Sequence, residues 1–118
     1  MRIGIDIAEV GRIKRAAGSE RFVARVFSEE ERAIFAERKN NPQTIAGRFC
    51  VKEAFGKALG TGICAFDLRE VSTLNDDAGA PYLKLTGKAL ELLGNRKTSV
   101  SISHTKEYAT AAVIIFDA

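Results

Sequence analysis

The chain has 118 residues, 46% hydrophobic and 28% charged, with 18 basic against 15 acidic side chains and a formal charge of +3. That composition excludes a disordered chain, and no apolar run nears the ~20 residues of a membrane span, so no membrane partner is expected. One histidine and two cysteines leave a structural zinc site short of ligands and give no basis for a disulfide framework.

The length predicts a single domain over residues 1–118 with one core. The chain opens on MRIGIDIAEV, which carries no export-signal pattern, so a cytoplasmic location is expected. In that segment Ile3, Ile5 and Ile7 alternate with Gly4, Asp6 and Ala8. Period two predicts a strand that buries its isoleucines and turns Asp6 the other way, among small neighbours.

Val10, Ile13 and Ala17, then Phe22, Val23 and Val26, recur at helical intervals, with a break at Gly18-Ser19. Arg12, Lys14, Arg15, Arg21 and Arg25 occupy the polar side of these two short helices, a density that suits an acidic partner as well as a solvated face. Ser28 and Glu31 form a capping-box pattern that starts a helix running to about Arg38. Asn41-Pro42 starts the next, which runs to about Leu59 and stops at Gly60.

Beyond it, LREVSTLN and APYLKLT flank a turn through Asp76, Asp77 and Gly79 and predict a hairpin. A short helix from Gly87 to Leu93 follows, capped by Thr86 and stopped by Gly94. TSVSISH and YATAAVIIF, joined by Thr105-Lys106-Glu107, predict a second hairpin. The order gives an α+β domain.

The long helix carries most of the candidate chemistry. On a helical wheel Cys50, Val51, Ala54 and Ala58 share one arc, with Glu53 and Lys57 on one flank and Arg48 and Lys52 on the other. With Gly47 and Gly56 permitting close approach, the helix is expected to be largely buried. Glu53 and Lys57 are spaced to satisfy each other as an i, i+4 pair. Alternatively, Asp6 and Glu53 hold a divalent cation such as Mg²⁺, which takes one or two protein carboxylates and leaves the rest of its shell to water and phosphate. Lys57 would then reach the same phosphates. Gly60-Thr61-Gly62 either caps the helix or lets backbone approach a ligand. His104 falls at a strand end, structural or functional according to its neighbours.

Four segments in order, IGIDIAEV, GRFCVKEAFGKALGTGI, GAPY and SISHTKEYATAAV, resemble the small type of the 4'-phosphopantetheinyl transferase family over essentially the whole chain. The resemblance implies the family fold, an antiparallel sheet packed against a long central helix. It also implies transfer of 4'-phosphopantetheine from coenzyme A to a serine of apo-acyl-carrier protein for fatty acid biosynthesis, releasing adenosine 3',5'-bisphosphate. Mg²⁺ would be the cofactor and coenzyme A the co-substrate. Asp6 and Glu53 would be the metal ligands and, with Lys57, the catalytic set. Coenzyme A would meet Arg48, Lys57, Gly60, Thr61, Gly62 and His104, and the Gly79-Ala80-Pro81 turn would line the same cleft. Arg12, Arg21 and Arg25 would dock the acidic carrier protein, and the assembly would be a homotrimer with sites at subunit interfaces. Cys50 and Val51 stand where alanines are common in the family. The proton acceptor for the serine remains open between a carboxylate such as Glu53 and a metal-held water.

Two other readings use the same residues. A binding module would employ the basic helices alone, although the chain lacks tryptophan and the aromatic-bearing strand motif that stacks bases, so no nucleic-acid partner is expected. A nucleotide hydrolase would use Asp6 and Glu53 without any carrier protein.

Overall fold

A computed structural model describes residues 1–118. Strand β1 (Arg2–Glu9) leads into the short helices α1 (Val10–Ala16) and α2 (Glu20–Val26). They are separate because Ser19 caps α2, its hydroxyl accepting the Phe22 amide at 3.2 Å. In α3 (Glu29–Glu37) the capping box is complete, with reciprocal bonds of 3.2 Å between Ser28 and Glu31. Helix α4 (Pro42–Leu59) starts where Asn41 Oδ1 accepts from Gln43 and Thr44 at 2.9 and 3.2 Å. It ends at Gly60, whose φ of +82° is the left-handed stop that glycine adopts without a steric penalty.

Two short 3₁₀ turns, Ile63–Ala65 and Leu68–Glu70, then deliver the chain to β2 (Val71–Asn75) and β3 (Pro81–Leu85). Helix α5 (Gly87–Leu93) precedes β4 (Lys97–His104) and β5 (Tyr108–Phe116). The larger sheet has the order β1-β5-β4, and β2 with β3 forms a separate two-stranded sheet; all pairs are antiparallel. The fold is therefore α+β, with α4 at its centre.

Helix α4 is buried on nearly every side, from Ile45 to Ala58, and contributes Cys50, Val51, Ala54 and Phe55 to a core cluster of 20 residues. Sheet strands β1 and β5 lie along one of its faces. The fit is close at Gly4: a Cβ there would fall 1.9 Å from the Ala54 carbonyl oxygen and 2.6 Å from the Ala58 nitrogen. Only a strand face made of Gly4, Asp6 and Ala8 can lie this near the helix. The alternating isoleucines consequently point the other way.

Ile3, Ile5 and Ile7 are 66%, 63% and 66% exposed on the outer face of the sheet, which corrects the expectation that they bury into the core. The register places Ile3 opposite Ile114 and Ile5 opposite Ala112, extending the apolar outer face. The expected placement of Asp6, away from the isoleucines and among small residues, holds. Leu68–Glu70 is a 3₁₀ turn rather than the start of a strand. Thr86 makes no side-chain cap for α5. Glu70 supplies it instead, accepting from the Lys88 and Ala89 amides at 3.1 and 3.3 Å.

Candidate active site

Because β1 lies against α4, residues distant in sequence meet. A cleft of about 570 Å³ is lined by Asp6, Glu53 and Lys57 together with Glu9, Arg12, Phe22, Phe49 and Tyr108. Lys57 Nζ donates to the Ile5 carbonyl at 3.0 Å and to Asp6 Oδ1 at 3.3 Å. It does not pair with Glu53, so the simple i, i+4 pair on α4 is not what this lysine forms. Strand geometry wins because β1 offers a carbonyl and a carboxylate together.

Glu53 takes part in no ion pair. Partial burial and the neighbouring Asp6 carboxylate push its pKa above the ordinary range, and Lys57 offsets only part of this. Two carboxylates are thus near enough to repel, and the one lysine beside them hydrogen-bonds Asp6 alone. No third histidine, cysteine or acidic side chain joins them at metal-binding spacing. Hard oxygen donors that repel each other, with room beside them, suit a divalent cation that keeps water and phosphate in its remaining positions.

Cys50 lies buried beneath this pair, its Sγ 3.4 Å from the Ala109 carbonyl oxygen. Burial first, then the Asp6 and Glu53 charges, raise its pKa to about 12, which keeps it a neutral thiol. It is a small core residue, as its position on the apolar arc of α4 indicated.

Arg48 turns to the opposite flank. Buried to 4% exposure, it donates through Nη2 to Asn75 Oδ1 at 2.6 Å, and its Nε has no partner. Arg38 reaches the same oxygen at 3.3 Å, and Asn75 Nδ2 in turn donates to the Gly79 carbonyl at 3.0 Å. Burial and the Arg38 charge both lower the Arg48 pKa. Two guanidinium groups converge here with no carboxylate in ion-pair contact, an arrangement that favours an anion. Arg38 was not singled out from sequence because its loop has no periodic pattern; Asn75 as a shared acceptor was equally invisible.

The structure therefore divides the expected site residues. Asp6, Glu53 and Lys57 share one cleft, which Arg12 also lines. Gly60, Thr61 and Gly62 are exposed just past Lys57, where Arg2 covers the end of α4 by donating to the Ala58 carbonyl. Arg48 with Gly79 forms a second group across α4, and Pro81 begins β3 beside it. His104 is exposed at the end of β4 and does not line the Asp6 cleft. Arg21 and Arg25 flank a shallow groove with Phe22 and Leu68, and Phe22 links that groove to the cleft.

Sequence reasoning also missed the pairing of Lys52 with Glu31. Lys52 Nζ is fully buried and donates to Glu31 Oε1 at 2.6 Å, to Leu68 O at 3.0 Å and to Val71 O. Glu31 Oε2 accepts the Thr73 amide at 3.1 Å. The capping-box spacing found Glu31 but not its second role.

A family model described as the 4'-phosphopantetheinyl transferase superfamily matches residues 2–113. The holo-(acyl-carrier-protein) synthase of Fusobacterium nucleatum is 41% identical over 117 residues, covering 96% of each chain. That of Alkaliphilus metalliredigens is 46% identical over 116 residues, covering 95% of each. Among solved structures, a Bacillus anthracis holo-(acyl-carrier-protein) synthase in complex with CoA (3',5'-ADP) superposes with a TM-score of 0.85 at 34% identity, covering 99% of this chain and 96% of that one. The Helicobacter pylori enzyme in complex with coenzyme A also gives 0.85, at 30% identity, covering 96% and 98%.

Proposed function

The chain belongs to the 4'-phosphopantetheinyl transferase superfamily, and on that premise we propose that it moves 4'-phosphopantetheine from coenzyme A to a serine of apo-acyl-carrier protein. The products are holo-acyl-carrier protein and adenosine 3',5'-bisphosphate, and the reaction serves fatty acid biosynthesis. The observation that carries this reading is the convergence of Asp6, Glu53 and Lys57 in one cleft that Arg12 also lines.

Asp6 and Glu53 would hold Mg²⁺, and the misfit of two facing carboxylates supports that fit. When bound, the cation supplies Lewis-acid stabilisation of charge on the pyrophosphate oxygens. Lys57, already at the cleft, shifts its ammonium from Asp6 toward the phosphates and neutralises charge that grows as the bond breaks. Thr61 and the flanking Gly60 and Gly62 offer exposed backbone just beyond. The apolar wall of Phe22 and Phe49 limits water beside the reacting groups. Arg12, Arg21 and Arg25 give the docking face its positive potential for an acidic carrier protein.

A homotrimer with composite sites accounts for two further observations. Ile3, Ile5 and Ile7 present an apolar sheet face of the kind that subunits cover. The Arg38 and Arg48 pair with Gly79 lies across α4 from the carboxylates, and in a trimer it would, with Pro81 and His104, receive coenzyme A phosphate from the cleft of a neighbouring copy. A cytoplasmic location suits both substrates; no helix is long and apolar enough to cross a membrane.

The test is the intact mass of apo-acyl-carrier protein after incubation with this protein, coenzyme A and Mg²⁺. A gain of one phosphopantetheine, abolished by EDTA, supports transfer and its metal dependence together. No gain with several carrier proteins overturns the reading. Sedimentation of native protein and of Ile5→Lys tests the assembly: the native chain is expected at three copies and the variant at one.

A further inference from the structure

Resting on the transfer reaction above, we propose that Glu9 is the base that takes the proton from the attacking serine hydroxyl. Glu9 ends β1, three residues after Asp6 and three before Arg12, and all three line the same cleft with Glu53, Lys57 and Phe22. A serine carried in by a protein docked over Arg12 and attacking a phosphate held beside Asp6 and Glu53 meets the stretch of chain that joins them, which Glu9 occupies. Geometry thus places a carboxylate where the proton must leave.

The side chain is also free for the task. Glu9 is the N-cap residue of α1 yet makes no cap hydrogen bond. It enters no ion pair, not even with Arg12 three residues on, and it is exposed. Glu53, by contrast, has Asp6 as a charged neighbour, and the two are the carboxylates suited to the cation. Asp6 is taken up by Lys57. Glu9 is the cleft carboxylate that neither pairs with Lys57 nor is shifted by a second carboxylate beside it.

In the step itself the serine Oγ–H bond breaks and its proton passes to a Glu9 carboxylate oxygen. The Oγ–P bond forms at the β-phosphorus, and the P–O bond to the bridging oxygen breaks, its electron pair leaving on adenosine 3',5'-bisphosphate. Glu9 then returns the proton to solvent.

The experiment compares native protein with Glu9→Gln, Glu9→Asp and Glu9→Ala in steady-state transfer, with coenzyme A affinity and Mg²⁺ requirement measured alongside. Glu9→Gln is expected to lower kcat by about a hundredfold or more, leaving the carrier-protein KM, coenzyme A binding and Mg²⁺ requirement unchanged. Glu9→Asp should keep part of the rate, and added formate should restore part of it to Glu9→Ala. A native-like kcat in Glu9→Gln overturns the proposal while the transfer reading stands. A loss confined to KM, which marks a docking role, or a shifted Mg²⁺ requirement, which marks a ligand, also overturns it. Absence of transfer by the native protein overturns both.

Discussion

Lys52 and Glu53 are adjacent on α4, yet the structure gives them opposite fates. On one flank Lys52 meets Glu31 in full burial, and the backbone carbonyls of Leu68 and Val71 together with the Thr73 amide complete the pair. On the other flank Glu53 faces Asp6, with Lys57 pulled toward the strand. The first cluster is closed: unlike charges, both side chains out of solvent, and three acceptors for the Lys52 ammonium. The second is open and carries repulsion that its own residues do not relieve. A satisfied ion pair fixes the fold, and an unsatisfied carboxylate pair is what a cation and a phosphate can complete.

The contrast is broken most severely by Lys52→Met, which strands a buried Glu31 charge and should cost about 3–5 kcal/mol in denaturant unfolding. A Glu31→Leu, Lys52→Met double variant should recover part of that loss. On the open flank, Glu53→Gln should lower transfer by at least about a hundredfold, or roughly 2.7 kcal/mol of barrier.

Glu53→Gln should also raise the melting temperature of the metal-free protein at pH 7. The sign follows from the raised Glu53 pKa: the stability linked to its neutral form is present below the ordinary carboxylate range and lost as pH rises through the raised folded value. Glutamine stays neutral throughout, so its advantage should vanish in melts at low pH. An unchanged or lower melting temperature at pH 7 would contradict the strained pair.

Gly4→Ala sharpens the link between the flanks and the strand. Its Cβ meets backbone rather than a flexible side chain, so β1 must move, at a cost of about 1–3 kcal/mol and with a loss of kcat as Asp6 shifts from Glu53. Unfolding midpoints and turnover measured on one sample separate the two effects. The smallest change expected is in Arg12→Glu: a several-fold rise in the carrier-protein KM at low salt, with coenzyme A binding unaltered, since rim charges act mainly on encounter.

Much of this is legible in the sequence. The capping patterns at Ser28 and Asn41 and the stop at Gly60 bound α3 and α4 because their chemistry is local and completed within three or four residues. The two flanks of α4 follow from helical spacing alone. Asp6 with Glu53 was legible only as a candidate pair, since 46 intervening residues say nothing of distance.

Chain order and local spacing thus determined the elements, the α+β class and the residue types of the site, because each rests on contacts between near neighbours. Tertiary packing decided the rest. It turned Ile3, Ile5 and Ile7 outward because α4 leaves β1 room only for Gly4, Asp6 and Ala8. It gave Lys57 to Asp6, Lys52 to Glu31 and Arg48 to Asn75. Period two fixes which side chains share a strand face, but which face meets the core depends on how close the opposing helix comes.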